Sequence, residues 1–515
     1  MRRLAWISLV AGGCSMENPF FEVRAPAETA GATGSSGADT GVDETTAPSV
    51  STASTGDITT TTGAIDATSG SDESTAAVDP GTGTSETGDA STEPGTSTGG
   101  STSTGADGSS SGEGGGESST GAPAPFCGDG MKDEGEACDD GNDTPADTCE
   151  WNCRPMFEVV SPMIGAHAVA VAAADIDGDK LVDLVLTHAN PGAAGPDVSV
   201  GRNLGAGQFA WTAINDMGMP GAGPVVIGRV TGDAKLDIVA VPTDGLSSPR
   251  LWINTSSVGK IGFTAAVPVN WQPGAVYTAA RIVDLNNDAK DDLVFLQSGT
   301  GKLHVQRNTG GAFAAANVYT LPQLQPLAIA VGPLLPGDMV PDVYVAYASA
   351  ANDHTALAGN GDPNGTLTAL GDKWKRCTAG AAAIASGDAD GGGPLDAVIA
   401  CASEKAVLVG HDGDDAYVRP LGGALPKLLG AGMLDLYGED EEADVFVTGA
   451  DSASVFVGVQ VDGKFAAPGE LVLPWKVGAA IAAEVTGDGA PDIVVLHPED
   501  ARLSVLVNLT RLPAP

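Results

Sequence analysis

Residues Asp175–Asp183 read D-I-D-G-D-K-L-V-D and are followed by L-V-L-T, and versions of this acidic loop recur along the chain. A second clear copy, D-L-N-N-D-A-K-D-D, occupies Asp284–Asp292. Weaker copies close on five further aspartates: Asp237, Asp342, Asp396, Asp444 and Asp492. Successive closing aspartates are separated by a nearly constant step of about 50 residues, which predicts one structural unit repeated seven times, as in a solenoid or a propeller.

Each copy contains the parts of one propeller blade. A small apolar strand such as Ala168–Ala174 precedes the acidic loop, and a β-branched run such as Ile493–Leu496 follows it. An alternating strand comes next, and a phenylalanine is predicted to open the last strand: Phe209, Phe263, Phe313 and Phe465. Short strands joined by Gly/Pro turns predict an all-β, seven-bladed β-propeller. A β-helix is the alternative, although its repeats are usually shorter.

The two ends of the array predict how the ring closes. The seventh copy stops after Leu503–Thr510 and lacks a last strand, whereas Met156–Pro162 is a strand with no copy before it. Pairing these segments in one sheet would remove two exposed strand edges. We therefore predict that Phe157–Val160 pairs with the last copy.

The chain divides into four predicted segments. Residues 1–13 have two arginines, a short apolar run and small residues before Cys14. They resemble a bacterial lipoprotein signal, which implies a lipid on Cys14; a plain signal peptide is the alternative. Residues 14–125 are predicted to be a disordered stalk, residues 126–154 a cysteine-rich module, and residues 156–512 the propeller. We expect an exported protein on the outer membrane or outer surface of a bacterium.

Composition supports the stalk and excludes one class of partner. Residues 25–125 contain no Lys, Arg or aromatic residue but many acidic ones, so they cannot bury enough apolar surface to fold. The net charge of the whole chain is −41. Nucleic acid is excluded as a partner, because binding a polyanion needs a basic surface.

The cysteines after the stalk predict disulfides. Cys127, Cys138, Cys149 and Cys153 lie close together in the sequence, which implies two disulfides in an exported protein. Zinc is the alternative, but the paired C-x-x-C arms of a zinc site are missing. The spacing resembles the short cysteine-rich repeat of myxobacterial surface proteins. Cys377 and Cys401 flank the fifth acidic loop and are predicted to pair, with buried thiols as the alternative.

The acidic loops predict calcium sites. Ca²⁺ binds six to eight oxygen atoms, and carboxylates at positions 1, 3, 5 and 9 of a tight loop can converge on one ion. The predicted ligands of the first and third loops are Asp175, Asp177, Asp179 and Asp183, and Asp284, Asn286, Asp288 and Asp292. The fifth loop offers Asp388, Asp390 and Asp396. These loops are not EF-hands, because the Gly and the bidentate Glu of that motif are missing.

The remaining loops have lost ligands. The seventh loop offers Glu484, Asp488 and Asp492, and like the fifth it could hold an ion or form a turn without metal. In the second, fourth and sixth loops, we expect Asp237, Asp342 and Asp444 to accept backbone N–H bonds. Solvated turns without metal are the alternative for every loop.

Taken together, the D-x-D-G-D-x-x-x-D loop, the apolar strand after it and the L-x-V-x-x-N…G-x-F tail resemble the FG-GAP/VCBS repeats of integrin-α-like propellers. The resemblance covers the whole array, from 156 to 512. It implies a seven-bladed propeller with structural calcium on one rim and partners bound on a face. Because that family includes adhesion proteins and domains attached to enzymes, the fold does not settle the function.

The motifs favour a binding protein over an enzyme. The six histidines are scattered, and the chain contains no metalloprotease, P-loop or dinucleotide motif. We therefore expect a cell-surface or secreted binding or adhesion module for a protein or polysaccharide. The alternatives are an extracellular hydrolase or lyase and a purely structural envelope protein. A Trp-lined face would favour a glycan, and the candidates are Trp211, Trp252, Trp271, Trp374 and Trp475.

Overall fold

The computed structural model describes most of the repeat array. The described residues are 155–165, 167–189, 197–214, 221–335, 340–349, 354–362, 364–370, 376–389, 394–403, 405–412, 415–421, 425–437, 443–461, 464–465 and 468–510. Several residues singled out in the sequence lie outside these ranges: Cys14, Cys127, Cys138, Cys149, Cys153, Trp374 and Asp390. Among the described residues, no helix has the length and apolar character needed to cross a membrane.

Within the described part of the chain, the repeats form seven four-stranded antiparallel sheets, which are the blades of a β-propeller. Strands and blades are numbered here along the chain. Blade 1 contains β2 (Ala168–Ala174), β3 (Asp183–His188), β4 (Val198–Asn203) and β5 (Phe209–Ile214). Blade 2 contains β6 (Ala222–Gly228), β7 (Asp237–Pro242), β8 (Arg250–Trp252) and β9 (Val267–Pro268). Blade 3 contains β10 (Tyr277–Val283), β11 (Asp292–Gln297), β12 (Lys302–Gln306) and β13 (Asn317–Thr320).

The other four blades repeat this order. Blade 4 contains β14 (Pro326–Gly332), β15 (Asp342–Tyr347), β16 (His354–Gly359) and β17 (Leu367–Ala369). Blade 5 contains β18 (Ala381–Gly387), β19 (Asp396–Cys401), β20 (Ala406–Asp412) and β21 (Asp415–Leu421). Blade 6 contains β22 (Leu428–Leu434), β23 (Asp444–Gly449), β24 (Ser454–Gly458) and β27 (Gly469–Val472). Blade 7 contains β28 (Ala480–Ala483), β29 (Asp492–His497), β30 (Arg502–Asn508) and β1 (Phe157–Val160).

The second strand of each blade is buried along its whole length, because both of its faces pack against neighbouring blades. Side chains of a strand point alternately to opposite faces of the sheet. In β3, Leu184 and Leu186 pack with Val494 of blade 7, whereas Val185 packs with Ile238 of blade 2. This explains why these strands read as continuous apolar runs in the sequence.

The first strand of each blade is innermost, and each contacts the first strand of the next blade around the whole ring. The strands β2, β18 and β28 are rich in alanine. Small side chains allow seven strands to converge at the centre. The hydrophobic core therefore lies between blades rather than within a single sheet.

The predicted closure of the ring is confirmed. Strand β1 pairs antiparallel with β30, with Phe157 opposite Asn508 and Val160 opposite Val505. Blade 7 is thus built from both ends of the array. The chain enters the propeller beside Asn508, at the edge of the ring where the acidic loops lie.

The prediction that a phenylalanine opens each last strand is correct only in blade 1, where Phe209 begins β5. Phe263 and Phe313 form isolated bridges with Asn254 and Asn308, and the last strands begin further along the chain. Phe465 lies in a separate two-stranded hairpin of β25 (Gln460–Val461) and β26 (Lys464–Phe465). In these three blades the phenylalanine lies in the connection between the third strand and the edge strand.

The predicted disulfide within the array is also present. Cys377 and Cys401 are bonded, with their Cα atoms 5.3 Å apart. Cys401 is the last residue of β19, and Cys377 precedes β18, so the bond encloses the fifth acidic loop. Both residues are buried.

Candidate metal centre

A buried aspartate begins the second strand of every blade: Asp183, Asp237, Asp292, Asp342, Asp396, Asp444 and Asp492. In blade 1, the Ile176 N–H donates to Asp183 Oδ2 at 3.0 Å, and the Asn203 N–H donates to Asp183 Oδ1 at 2.7 Å. Equivalent pairs of bonds recur in blades 2, 3, 4, 6 and 7. The closing aspartate therefore fixes its loop to the third strand of the blade, as expected for Asp237, Asp342 and Asp444.

The first acidic loop turns through two left-handed residues, Gly178 (φ 81°) and Lys180 (φ 76°). Asp175 stabilises this turn: its Oδ1 accepts from the Gly178 N–H at 2.7 Å, and its Oδ2 accepts from the Lys180 N–H at 2.9 Å. The turn brings three predicted ligands together. Each of Asp175, Asp177 and Asp183 has a carboxylate oxygen within 4.8 Å of those of the other two.

In this group, Asp177 has a buried carboxylate oxygen without a hydrogen-bond partner. It is 5% exposed, its Oδ1 accepts from the Asp179 N–H at 3.1 Å, and its Oδ2 has no hydrogen-bond partner. A buried charged oxygen without a partner is unfavourable. Burial raises the pKa of Asp177, repulsion by Asp179 adds to the rise, and backbone N–H groups of Asp179 and of Gly259 in blade 2 oppose it.

The neighbouring Asp183 shows the same conflict between charges. Burial raises the pKa of Asp183 to about 6, although the backbone N–H groups of Asn203 and Ile176 lower it. Charges on Asp177 and Asp179 raise it further. A divalent cation among the three carboxylates would relieve both the burial and the repulsion, and oxygen ligands of this kind suit calcium.

The fourth predicted ligand of this loop, Asp179, lies outside the group of three. Its Oδ1 accepts from the Leu181 N–H at 2.9 Å, and its Oδ2 is 3.8 Å from Nη1 of Arg202. Arg202 lies in β4 of the same blade. The structure therefore brings together three of the four predicted side chains and places the fourth beside an arginine.

The third acidic loop has a similar turn with a different charge balance. Asp284 Oδ1 accepts from the Asp288 N–H at 3.1 Å, and its Oδ2 accepts from the Ala289 N–H at 2.7 Å. Asp288 forms an ion pair with Lys290 at 3.0 Å. Burial raises the pKa of Asp292 to about 6. The remaining predicted ligand, Asn286, is 9% exposed, and its Oδ1 accepts from the Asp288 N–H at 3.2 Å.

The fifth and seventh loops are less complete. In the fifth, Asp388 is exposed and Asp396 is buried, and Asp396 Oδ2 accepts from the Ala389 N–H at 2.7 Å. In the seventh, Glu484 accepts from the Gly487 N–H, and Asp488 accepts from the Ala490 N–H at 2.9 Å. Like the third loop, neither forms a group of three acidic ligand atoms within the described residues.

Amide side chains at the ends of the third strands, to which the sequence assigned no role, join each loop to the next blade. Nδ2 of Asn254 in blade 2 donates to the Ile176 carbonyl in loop 1 at 2.8 Å. The same contact between a blade and the loop before it is made by Asn203, Asn308, Gln460 and Asn508. In blade 4 the equivalent residue is Gly359, which has no side-chain amide to donate. These amides connect neighbouring blades at the loop-bearing edge.

Two of the described histidines form buried pairs with serines. His188 Nε2 lies 2.9 Å from Ser199 Oγ, and His497 Nε2 lies 2.7 Å from Ser504 Oγ. Both pairs are buried. Burial lowers the pKa of His188 to about 4 and also lowers that of His497. The pairs therefore link strands as neutral groups away from solvent.

The tryptophan candidates pack mainly at blade junctions. Trp252 is fully buried, Trp211 covers Gly201, and Trp271 packs against the core between blades 2 and 3. Trp475 is partly exposed, and the guanidinium carbon of Arg502 lies 4.8 Å from the centre of its ring. The described tryptophans thus serve packing more than they line a face.

No protein-family model matches the chain, and a search of curated proteins also returned no match. A search of solved structures found similarity to a crystal structure of BBS1N in complex with ARL6DN, soaked with mercury. The identity is 13%, the TM-score is 0.45, and the match covers 70% of this chain and 100% of that chain. The propeller fold rests on the seven sheets themselves, and membership of the FG-GAP/VCBS family stays a prediction.

Proposed function

We propose that the protein is a cell-surface or secreted binding module whose propeller is stabilised by calcium and recognises a protein or glycan partner. The observation that supports calcium is Asp177 Oδ2, a buried carboxylate oxygen without a partner beside the carboxylates of Asp175 and Asp183. Calcium there would also strengthen the junction with blade 2, because Gly259 of that blade contacts Asp177.

The way the chain enters the ring supports the proposed role in binding. The segment before the propeller joins at β1, on the loop-bearing edge of blade 7. The opposite edge and the outer strands of the other blades are therefore away from the attachment point. We infer that a partner binds one of these surfaces and that a lipid on Cys14 anchors the chain.

The rigidity of the ring also suits a binding role. Amide side chains cross between blades at several junctions, and the ring is closed by β1. A ring held in this way keeps its surfaces pre-formed, which lowers the ordering entropy lost on binding.

Calcium is tested by titration of the full exported chain, after removal of metal, in an isothermal calorimeter. We expect at least one site that Asp177→Asn removes, while Asp233→Asn in the second loop keeps it. The absence of any heat of binding at millimolar calcium would contradict the proposal.

Binding is tested by labelling the full chain and applying it, in calcium, to glycan arrays and to intact bacterial cells. Saturable binding to one class of target is expected. Mass spectrometry of the mature N-terminus checks the lipid on Cys14. A protein that binds neither glycans nor cell surfaces would contradict the role as a binding module and favour a purely structural one.

A further inference from the structure

A groove runs along the outer rim between blades 3 and 4. Its volume is about 450 Å³, and it is lined by Asn317, Val318, Tyr319, Asn364 and Thr366. The first three residues belong to β13, the edge strand of blade 3. The other two lie in the turn between β16 and β17 of blade 4.

The blade 4 turn is held in place by its own hydrogen bonds. Asp362 accepts from the Asn364 N–H at 3.0 Å, from the Thr366 N–H at 2.9 Å and from the Thr366 hydroxyl at 2.8 Å. The Leu367 N–H donates to the Tyr319 hydroxyl at 3.0 Å and so ties the turn to β13. The groove is therefore pre-formed by hydrogen bonds within the protein.

The groove offers hydrogen-bonding capacity that the described protein does not use. Asn317 is exposed and makes no side-chain hydrogen bond within the described residues. Asn364 Oδ1 accepts from Arg307 at 3.5 Å, which leaves its Nδ2 donors available. The Tyr319 hydroxyl accepts from Leu367 and can still donate, whereas the Thr366 hydroxyl donates to Asp362 and can still accept.

This chemistry fits neutral sugars. Each sugar hydroxyl both donates and accepts, and the groove presents free donors and acceptors side by side. The partly exposed Tyr319 ring, which packs against the core between blades 3 and 4, supplies an apolar contact for the C–H face of a sugar ring. None of the five lining residues carries a charge at neutral pH, and the net charge of −41 opposes polyanions. The groove is open, which suits a chain rather than an enclosed small molecule.

We propose that the groove between blades 3 and 4 binds a neutral polysaccharide through Asn317, Tyr319 and Asn364. The inference rests on the proposed binding role and names the partner's chemistry and its place on the propeller.

The test is affinity gel electrophoresis of the full chain in calcium. The gels contain a neutral polysaccharide (hydroxyethyl cellulose, galactomannan or starch) or, for comparison, polygalacturonate. We expect at least one neutral polymer to slow migration. The double variant Asn317→Ala/Asn364→Ala should bind about tenfold more weakly, since it loses two hydrogen-bonding side chains. The control Thr212→Ala, an exposed residue of edge strand β5 in blade 1, should migrate like the unmodified protein.

The outcomes separate this inference from the proposed function. Unslowed migration in every neutral gel, slowing by polygalacturonate alone, or equal slowing of the double variant would each overturn the groove assignment. Binding to cells or to another glycan in those cases would leave the role as a binding module standing. Equal melting temperatures of the double variant and the control would show that weaker binding is not caused by unfolding.

Discussion

Asp177→Asn should stabilise the propeller without calcium and weaken its stabilisation by calcium. The Asp177 Oδ2 atom is buried, has no partner and lies near two other carboxylates. Leaving a buried polar group unsatisfied costs about 1–3 kcal/mol. Because asparagine removes the charge, the variant should be more stable than the unmodified protein in EDTA.

Calcium should reverse most or all of this gain. A ligand at about 100 times its Kd stabilises the folded state by about 2.7 kcal/mol, and the variant forgoes this contribution at loop 1. The propeller has about 350 residues, for which the usual entropy of unfolding gives about 0.7 kcal/mol per degree. Asp177→Asn should therefore melt about 1–4 °C higher in EDTA, and its calcium-induced rise in Tm should be smaller by about 4 °C.

The assay is differential scanning calorimetry of the full chain in EDTA and at several calcium concentrations. Asp233→Asn in the second loop is the matched control, because Asp233 is exposed and accepts local hydrogen bonds. The control should keep the full calcium shift. The reasoning is refuted if Asp177→Asn melts below the unmodified protein in EDTA, or if both variants show equal calcium shifts.

Four other measurements test particular contacts. Burial raises the pKa of Asp183 from 3.8 to about 6, so the metal-free fold loses stability as pH rises between these values. Because calcium binds the ionised carboxylate, calorimetric titrations should show the affinity for calcium falling about tenfold per pH unit below 6. Asn308→Leu removes the amide that donates to the Asp291 carbonyl and leaves the Gly310 N–H without its acceptor, so it should lower the free energy of unfolding in urea by about 2–4 kcal/mol. Asn317→Ala, at an exposed position, should change it by less than about 0.5 kcal/mol. Ala289 has a left-handed backbone (φ 64°), so Ala289→Gly should stabilise the propeller by about 0.5–1 kcal/mol in thermal melts. Ala234 occupies the same position of the second loop without a positive φ, so Ala234→Gly should destabilise the propeller. Cys377→Ser removes the bond to Cys401, 24 residues away, and should cost about 3 kcal/mol in urea unfolding; the unmodified protein after reduction is the control and should lose a similar amount.

The fold was predictable because its signals are local and repeated. The period of the closing aspartates sets the number of blades, and the missing strand after Leu503–Thr510 predicted the pairing of β1 with β30. Cys377 and Cys401 were predicted to pair because they flank a single loop. In each case, residues close in sequence or at equivalent repeat positions carry the information.

The contacts of the candidate site were only partly predictable. Three of the predicted ligands of loop 1 lie close together, but Asp179 lies beside Arg202, whose position depends on the neighbouring strand. The Asn254 amide reaches Ile176, 78 positions away in the sequence, so its role depends on how blades are placed side by side. Only its recurrence at the end of third strands could have pointed to it. The last strands begin later than the phenylalanines predict, because edge strands have few contacts to fix their ends.

The most direct test of the central claim is an anomalous difference map from crystals grown with calcium. We predict a peak within about 2.3–2.6 Å of carboxylate oxygens from Asp175, Asp177 and Asp183. Crystals grown at about 10 mM calcium, well above the dissociation constants of typical calcium sites, should show this peak at high occupancy. A first loop that holds only water, or no ordered density, at that concentration would contradict the account.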